Sequence, residues 1–165
     1  MIRQLTIACL LCIGASSFAA EQPEVRVEPS HLQGPRPLDK QTEAAAIRDY
    51  LQAWQSLKKG FAENRGDLLD SAFVGDAREK LGSTISEQAQ LGIRTNYQDR
   101  THDIQIIFYS PDGLSIQLID KVDYDVQILD HEKLKGNQQV SAKYIAVLTP
   151  SEVRWRVRIL QGQSQ

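Results

Sequence analysis

An α+β fold, with N-terminal helices packed on a curved antiparallel sheet, follows from three features of this 165-residue chain. Apolar residues recur at intervals of three and four between Thr42 and Gly92, the period of amphipathic helices. After Gly92 the period drops to two, with turn residues between the alternating runs, which is the mark of strands joined by hairpins. One of those runs, Leu114 to Asp130, is so long that it has to bend or bulge, so the sheet wraps around the helices instead of lying flat.

The elements follow in order. Met1-Ile2-Arg3-Gln4 is a short basic start, Leu5 to Phe18 is apolar, and Ser17-Phe18-Ala19 offers a small-x-small cleavage signal. That order predicts a secretory signal peptide over residues 1–20, since the apolar run falls short of the ~20 residues that span a bilayer. Cys9 and Cys12 both lie in the leader and neither sits in a lipidation box. The cleaved chain is therefore expected to be thiol-free and exported, periplasmic or extracellular, held together by an ordinary core. Residues 21–40 carry Pro23, Pro29, Pro35 and Pro37 among polar residues and read as a flexible, proline-rich linker.

Residues 41–161 form the domain. Ala46, Ile47, Tyr50, Leu51, Trp54, Leu57 and Phe61 define one face of a long helix, capped by Asp39 or Thr42 and stopped at Gly60 and Asn64-Arg65-Gly66. Asp67 caps a second, short helix carrying Leu68, Leu69, Ala72 and Phe73. Asp76 caps a third, with Ala77, Leu81, Ile85 and Ala89, ending at Gly92. Strands are expected over Thr101 to Ser110, Leu114 to Asp130 and Val140 to Leu148, with Val153, Trp155, Val157 and Ile159 closing the sheet. Pro111-Asp112-Gly113, Lys135-Gly136-Asn137 and Thr149-Pro150-Ser151 are the turns.

Helices first, then long hairpin-linked strands ending in Val-Arg-Trp-Arg-Val-Arg-Ile, resemble the NTF2-like (cystatin-like α+β cone) superfamily. The layout is similar to the C-terminal domain of plastid-division and import-like proteins. The resemblance spans roughly Thr42 to Leu160 and rests on Trp54, Lys58, Leu68-Leu69, Gly92, Tyr97 and Trp155. Where the import-like domains carry a further aromatic residue before the third helix, this chain has Arg78. The superfamily implies a conical cavity that some members use for catalysis and others only for binding or pairing.

Composition narrows the function. With 19 basic against 21 acidic residues and a net charge of −2, the chain has no electrostatic footprint for nucleic acid. Beyond the leader no run is apolar enough to span a membrane. There is no G-x-S-x-G, Walker loop, G-x-G-x-x-G or H-E-x-x-H motif, and no cofactor or metal site is expected. Asp120-Lys121-Val122-Asp123-Tyr124-Asp125 lacks the glycine turn of a calcium loop.

Two constellations remain. Asp120 shares strand parity with Leu118 and Val122 and points inward, as do Tyr124, Tyr144 and His102 in the same register. A desolvated carboxylate beside a tyrosine hydroxyl in an apolar cone has the chemistry of a proton-transfer site, with Asp120 as base. A bulge that turned Asp120 outward would remove it. On the opposite face, Arg154, Arg156 and Arg158 alternate along the last strand, either to hold an anionic partner or to balance Asp123 and Asp125.

The expectation is a non-catalytic binding or interaction module for a protein partner or a small apolar ligand, with a homodimer through the sheet as one form. The alternative is a small-molecule isomerase, dehydratase or hydrolase using the cone. Asp120 discriminates between them: inward and beside a tyrosine favours the enzyme, outward favours the module.

Overall fold

The protein is described by a computed structural model covering residues 22–30, 32 and 34–163. The leader expected over residues 1–20, with Cys9 and Cys12, lies outside the described residues. In order come β1 (Glu24–Glu28), α1 (Lys40–Glu63), a 3-10 helix (Gly66–Leu69), α2 (Gly75–Gln90), β2 (Ile93–Tyr109), β3 (Ile116–Asp130), β4 (Lys133–Pro150) and β5 (Trp155–Gln163). The five strands form one sheet in the order β1-β2-β3-β4-β5, antiparallel except for the parallel β1–β2 pair.

Helix α1 starts where its cap requires. Asp39 accepts the backbone N–H of Thr42 at 2.9 Å and the Thr42 hydroxyl at 2.7 Å, satisfying a donor that the first turn leaves open. It ends at Asn64, in the left-handed conformation, whose side chain donates to the Ile93 carbonyl and accepts from Gln88. At Gly60 a Cβ would stand 3.1 Å from Ile85 Cδ1, so the glycine lets α2 press against α1. The expected second helix is only a 3-10 turn. Its hydrogen bonds pass into a parallel bridge, with Val74 N donating to the Val157 carbonyl and Val157 N donating to the Ala72 carbonyl. The β5 edge takes the backbone groups that a longer helix would have used.

The sheet differs from expectation at four places. Glu24–Glu28, inside the stretch read as a linker, pairs in parallel with Thr101–Gln105, although all five residues are exposed. Strand β2 begins at Ile93, eight residues early, because pairing with β3 recruits the polar run that precedes the alternating one. The β3–β4 turn falls at His131-Glu132, both with positive φ, and not at Lys135-Gly136-Asn137. Gly136 lies within β4 opposite Ile128. A two-residue turn with both φ positive matches the twist of long strands, and the extra residue at Lys135 then shifts the register by one to put Leu118 opposite Ala146. Finally, β5 slips register between Val147 and Leu148, so Leu160 turns to the core and Ile159 to the outer face.

Both helices pack on the inner face. The core joins Tyr50, Trp54, Leu57 and Phe61 of α1 to Ile85 of α2 and to Ile104, Leu118, Val122, Leu148 and Val157 of the sheet. Trp54 is buried, whereas Trp155, expected to be buried, is partly covered at the margin of the core at the start of β5, where its backbone N–H donates to Asp49 Oδ2.

Candidate functional site: a buried acid–base cluster

Strand alternation positions the first member. Asp120 lies between Leu118 and Val122 on β3, which runs without a bulge there, and its side chain is fully buried facing α1. The irregularities fall on β2 instead, with one extra residue at Arg100 and another at Ile107. Their effect is specific. Tyr97 and Asp99 face inward, the bulge at Arg100 resets the alternation, and His102, Ile104 and Ile106 face inward after it. Asp99 and His102, three apart on a strand, would ordinarily point to opposite faces. Here both are buried and meet.

The cluster is compact. His102 Nδ1 lies 2.7 Å from Asp120 Oδ2, and Nε2 lies 3.6 Å from Asp99 Oδ2. Lys58 of α1 donates to Asp99 Oδ2 at 2.6 Å, and the Tyr50 hydroxyl, two turns earlier on the same helix, donates to Asp120 Oδ2 at 3.0 Å. Trp54 stands edge-on to His102 with ring centroids 5.5 Å apart, and edge-on to Tyr144 at 5.2 Å. Tyr124 and Tyr144 are hydrogen-bonded to each other at 3.1 Å. The tyrosine that serves Asp120 is therefore Tyr50, from the helix.

Electrostatics follow from this packing. Burial alone would lower the His102 pKa, but hydrogen bonds and charge from Asp120 and Asp99 prevail and hold it up at about 9, so the ring is protonated at neutral pH. Burial likewise favours a neutral Asp99, yet bonds from His102 and Lys58 keep its pKa below the ordinary carboxylate value. In Asp120 burial wins, and the pKa is raised in spite of His102 and Tyr50. Burial and the Asp120 charge push the Tyr50 hydroxyl well up, so it remains a donor. Two cations thus face two carboxylates inside the protein. One oxygen of each carboxylate, and Trp54 Nε1, are buried without a protein partner.

This set can hold a proton on His102 and relay it to Asp120, the elements of general acid–base chemistry. Its contact with the outside is narrow. His102, 1% exposed, touches the floor of a groove of about 430 Å³ between α1 and the N-terminal strand, lined by Pro23, Val25, Arg48, Leu51 and Gln55. On the other side of Glu24, Asp99 borders a smaller depression of about 290 Å³. The interior between α1 and the sheet is filled by Trp54, Tyr97, Tyr124 and Tyr144.

The arginine stripe does not form one surface. Arg156 donates to the carbonyls of Asp70 and Phe73, clamping the loop before α2 to β5. Arg154 precedes β5 in a turn closed by Ser151, and the exposed Arg158 sits at the register slip. Asp123, expected to balance them, instead accepts from Thr101 and Ser141.

Tyr50 and Lys58, eight residues apart, carried a weak signal in the sequence, as polar tips on an apolar helix stripe. Asp99 carried none, since only the bulge turns it inward.

No sequence family and no curated protein matches the chain. Solved structures do. The intermembrane-space region of chloroplast protein ARC6 is similar with a TM-score of 0.62 at 13% identity, covering 79% of this chain and 100% of that one. A putative scytalone dehydratase from Novosphingobium aromaticivorans follows at 0.57 and 13%, covering 77% and 89%. A protein of unknown function from Mycobacterium tuberculosis gives 0.52 at 15%, covering 79% and 76%. At such identities the likeness shows the fold and nothing of the chemistry. The expected NTF2-like layout is borne out, and the chain carries the NTF2-like, cystatin-like α+β fold.

Proposed function

We propose that this chain is an exported, non-catalytic interaction module that works through the outer face of its sheet. One observation carries the reading: Ile119, Ile145, Val147 and Ile159 are partly exposed, Phe108 is 43% exposed, and all five lie on the sheet face away from both helices. None packs against the core. An uncovered patch of this composition on a folded domain marks an interaction surface. The interior supports the same reading, since Trp54 and the tyrosines occupy the space in which a substrate would lie.

The test is a photo-crosslinking residue placed at Phe108, with Glu79 on the exposed side of α2 as control, in cells that export the protein. A discrete adduct from position 108 and none from 79 is expected. Equal, background-level crosslinking at both would end the reading.

A second reading is favoured by one feature. Asp120 does point inward and does hold a tyrosine hydroxyl, the arrangement expected of the enzyme. In that case a small apolar carbonyl compound would reach His102 from the groove beside α1, where Val27, Ala44, Ile47 and Leu51 line an adjoining trough of about 550 Å³. Shifts of the His102 ring signals on adding such compounds, abolished in Asp120→Asn, would establish it. Unmoved signals across a broad set would dismiss it.

A further inference from the structure

Strand β1 is held by little of what holds the other strands. Its five residues are all exposed, Val25 at 40% and Val27 at 48%, and none belongs to the core. Its pairing with Thr101–Gln105 is parallel, the less stable arrangement per residue. Among the described residues, its one side-chain link to β2 is Arg26 to Asp103 at 3.9 Å. Val25 stands opposite His102 and Val27 opposite Ile104, on the inner side of the sheet, yet α1 does not close over them. A trough of about 550 Å³ lies between Val27 and the Ile47 and Leu51 side chains. Beyond β1 the chain is fastened again. Leu32 and Leu38 pack against the core, and Arg36 donates to the Pro111 carbonyl at 3.1 Å and lies over the Tyr109 ring at 5.2 Å.

This weakly held strand lies across the way out of the buried cluster. Gln22, Pro23 and Val25 wall the groove whose floor His102 touches, and Gln22 and Glu24 wall the depression that Asp99 borders. Both openings share Gln22, so residues 22–25 are what parts them. Behind them, Asp99 Oδ1 and Asp120 Oδ1 are buried without a protein partner.

From this placement we infer that residues 22–28 are a strap that seals the acid–base cluster. It lifts from the edge of β2 to join the groove and the depression into one mouth over His102 and Asp99. Three arguments support a strap over a fixed edge strand. A segment with few buried apolar contacts and exposed backbone hydrogen bonds opens locally at far lower free energy than the core does. The anchor that starts at Leu32 keeps the lifted segment close, so reclosing is intramolecular and favoured by a high effective concentration. Lifting also bares the backbone groups of the β2 edge, which leaves the sheet a reason to take the strap back. The consequence is electrostatic. Water entering the mouth raises the local dielectric around Lys58, Asp99, His102 and Asp120, and so weakens the pairing that the closed strap protects.

Exchange of the His102 ring N–H protons with water, followed by NMR on the purified protein, reads the strap directly. Arg26→Cys with Asp103→Cys places a disulfide across β1 and β2 at directly paired positions on the outer face. No cysteine follows Cys12 in the chain, so the new pair has no competitor in the described residues. The oxidised form should exchange the His102 protons about tenfold more slowly than the same protein after reduction, because the low-energy opening is removed. Val25→Gly with Val27→Gly, which loosens the strand without touching the core, should speed exchange by a similar factor. Backbone amides of Leu118 to Val122 in β3 should keep their rates in every form. Equal rates in the oxidised and reduced protein overturn the strap. If the cysteine variant fails to fold or to oxidise, the glycine variant decides, and an unchanged His102 rate there overturns it. A change in the β3 amides that matches the change at His102 also overturns it, since exchange would then report unfolding of the whole domain.

Discussion

The two faces of this sheet are built from alternate residues of the same strands, yet each carries a patch expected of the other, a charged cluster within the core and an apolar island outside. Inward from β2 and β3 come Asp99, His102 and Asp120, and outward from β2, β3 and β4 come Phe108, Ile119, Ile145 and Val147. Inside, the cost of desolvating charge is offset in part by Lys58 and Tyr50 and by the balance of two cations against two carboxylates. Outside, nothing in the described chain meets the cost of exposing the aliphatic rows. A polar interior that is paired can be complete in itself, whereas an apolar exterior asks for something from outside. On the proposed reading the outer face is the working surface and the buried cluster is a device of stability.

Four expectations test this contrast, the largest first. Trp54→Ala should cost about 3–5 kcal/mol, since Trp54 is 3% exposed and lies in the core between α1 and the sheet. The outward aromatic Phe108, replaced by Ala, should change stability by no more than ~0.5 kcal/mol. Urea unfolding of both variants makes the comparison, and equal losses would erase the distinction between the faces. Lys58→Met should cost about 3–5 kcal/mol, because the Asp99 carboxylate is left buried beside a weakened set of partners. Recovery of most of that loss in the Lys58→Met, Asp99→Leu double variant would show that the pair is worth little more than apolar packing.

The third expectation concerns pH. The His102 pKa is about 9 in the folded protein, above the unfolded value near ~6.5, so the folded state holds the proton more tightly. That contribution is fully present below the unfolded pKa and is lost as pH rises through about 9. Its size is at most about 3 kcal/mol from the separation of the two values. Asp99 acts in the opposite direction, its lowered pKa giving stability that is present above ~4 and lost as pH falls through the folded value. Chemical unfolding at a series of pH values between these limits should show the alkaline loss in wild type and a flatter profile in His102→Gln. A wild-type profile that is flat up to pH ~9.5 would mean that His102 is not held as a cation.

The smallest effects concern the arginines. Arg156→Gln should lose about 1–2 kcal/mol, because two backbone carbonyls at the loop before α2 lose a charged donor. Arg158→Gln should stay within ~0.5 kcal/mol, as befits an exposed residue. Thermal unfolding of the two variants separates a clamp from a solvated side chain, and equal behaviour would restore the view of one continuous stripe.

Much of the fold was legible from local chemistry. The α1 stripe, its Asp39 cap, the third helix and the inward parity of β3 and β4 all follow from periods that a residue and its neighbours set together. Asp120, His102, Tyr124 and Tyr144 were legible as inward residues for the same reason. The parts that were not legible depend on a partner strand. The early start of β2, the strand at Glu24–Glu28 and the turn at His131-Glu132 are decided by long-range pairing, which a polar run or a pair of non-glycine residues does not announce.

By itself, then, the sequence determined the order of helices and strands, the α+β class and the inward aim of Asp120, because helix and strand periods are written into every few residues. Tertiary structure alone decided which groups meet. The bulge at Arg100 brought Asp99 round to His102, α1 carried Lys58 and Tyr50 onto the sheet, and the bulge at Ile107 and the slip in β5 assembled the outer apolar rows. A bulge shifts alternation by one residue and leaves little mark in composition, so its consequence for two faces at once emerges only when neighbouring strands are paired.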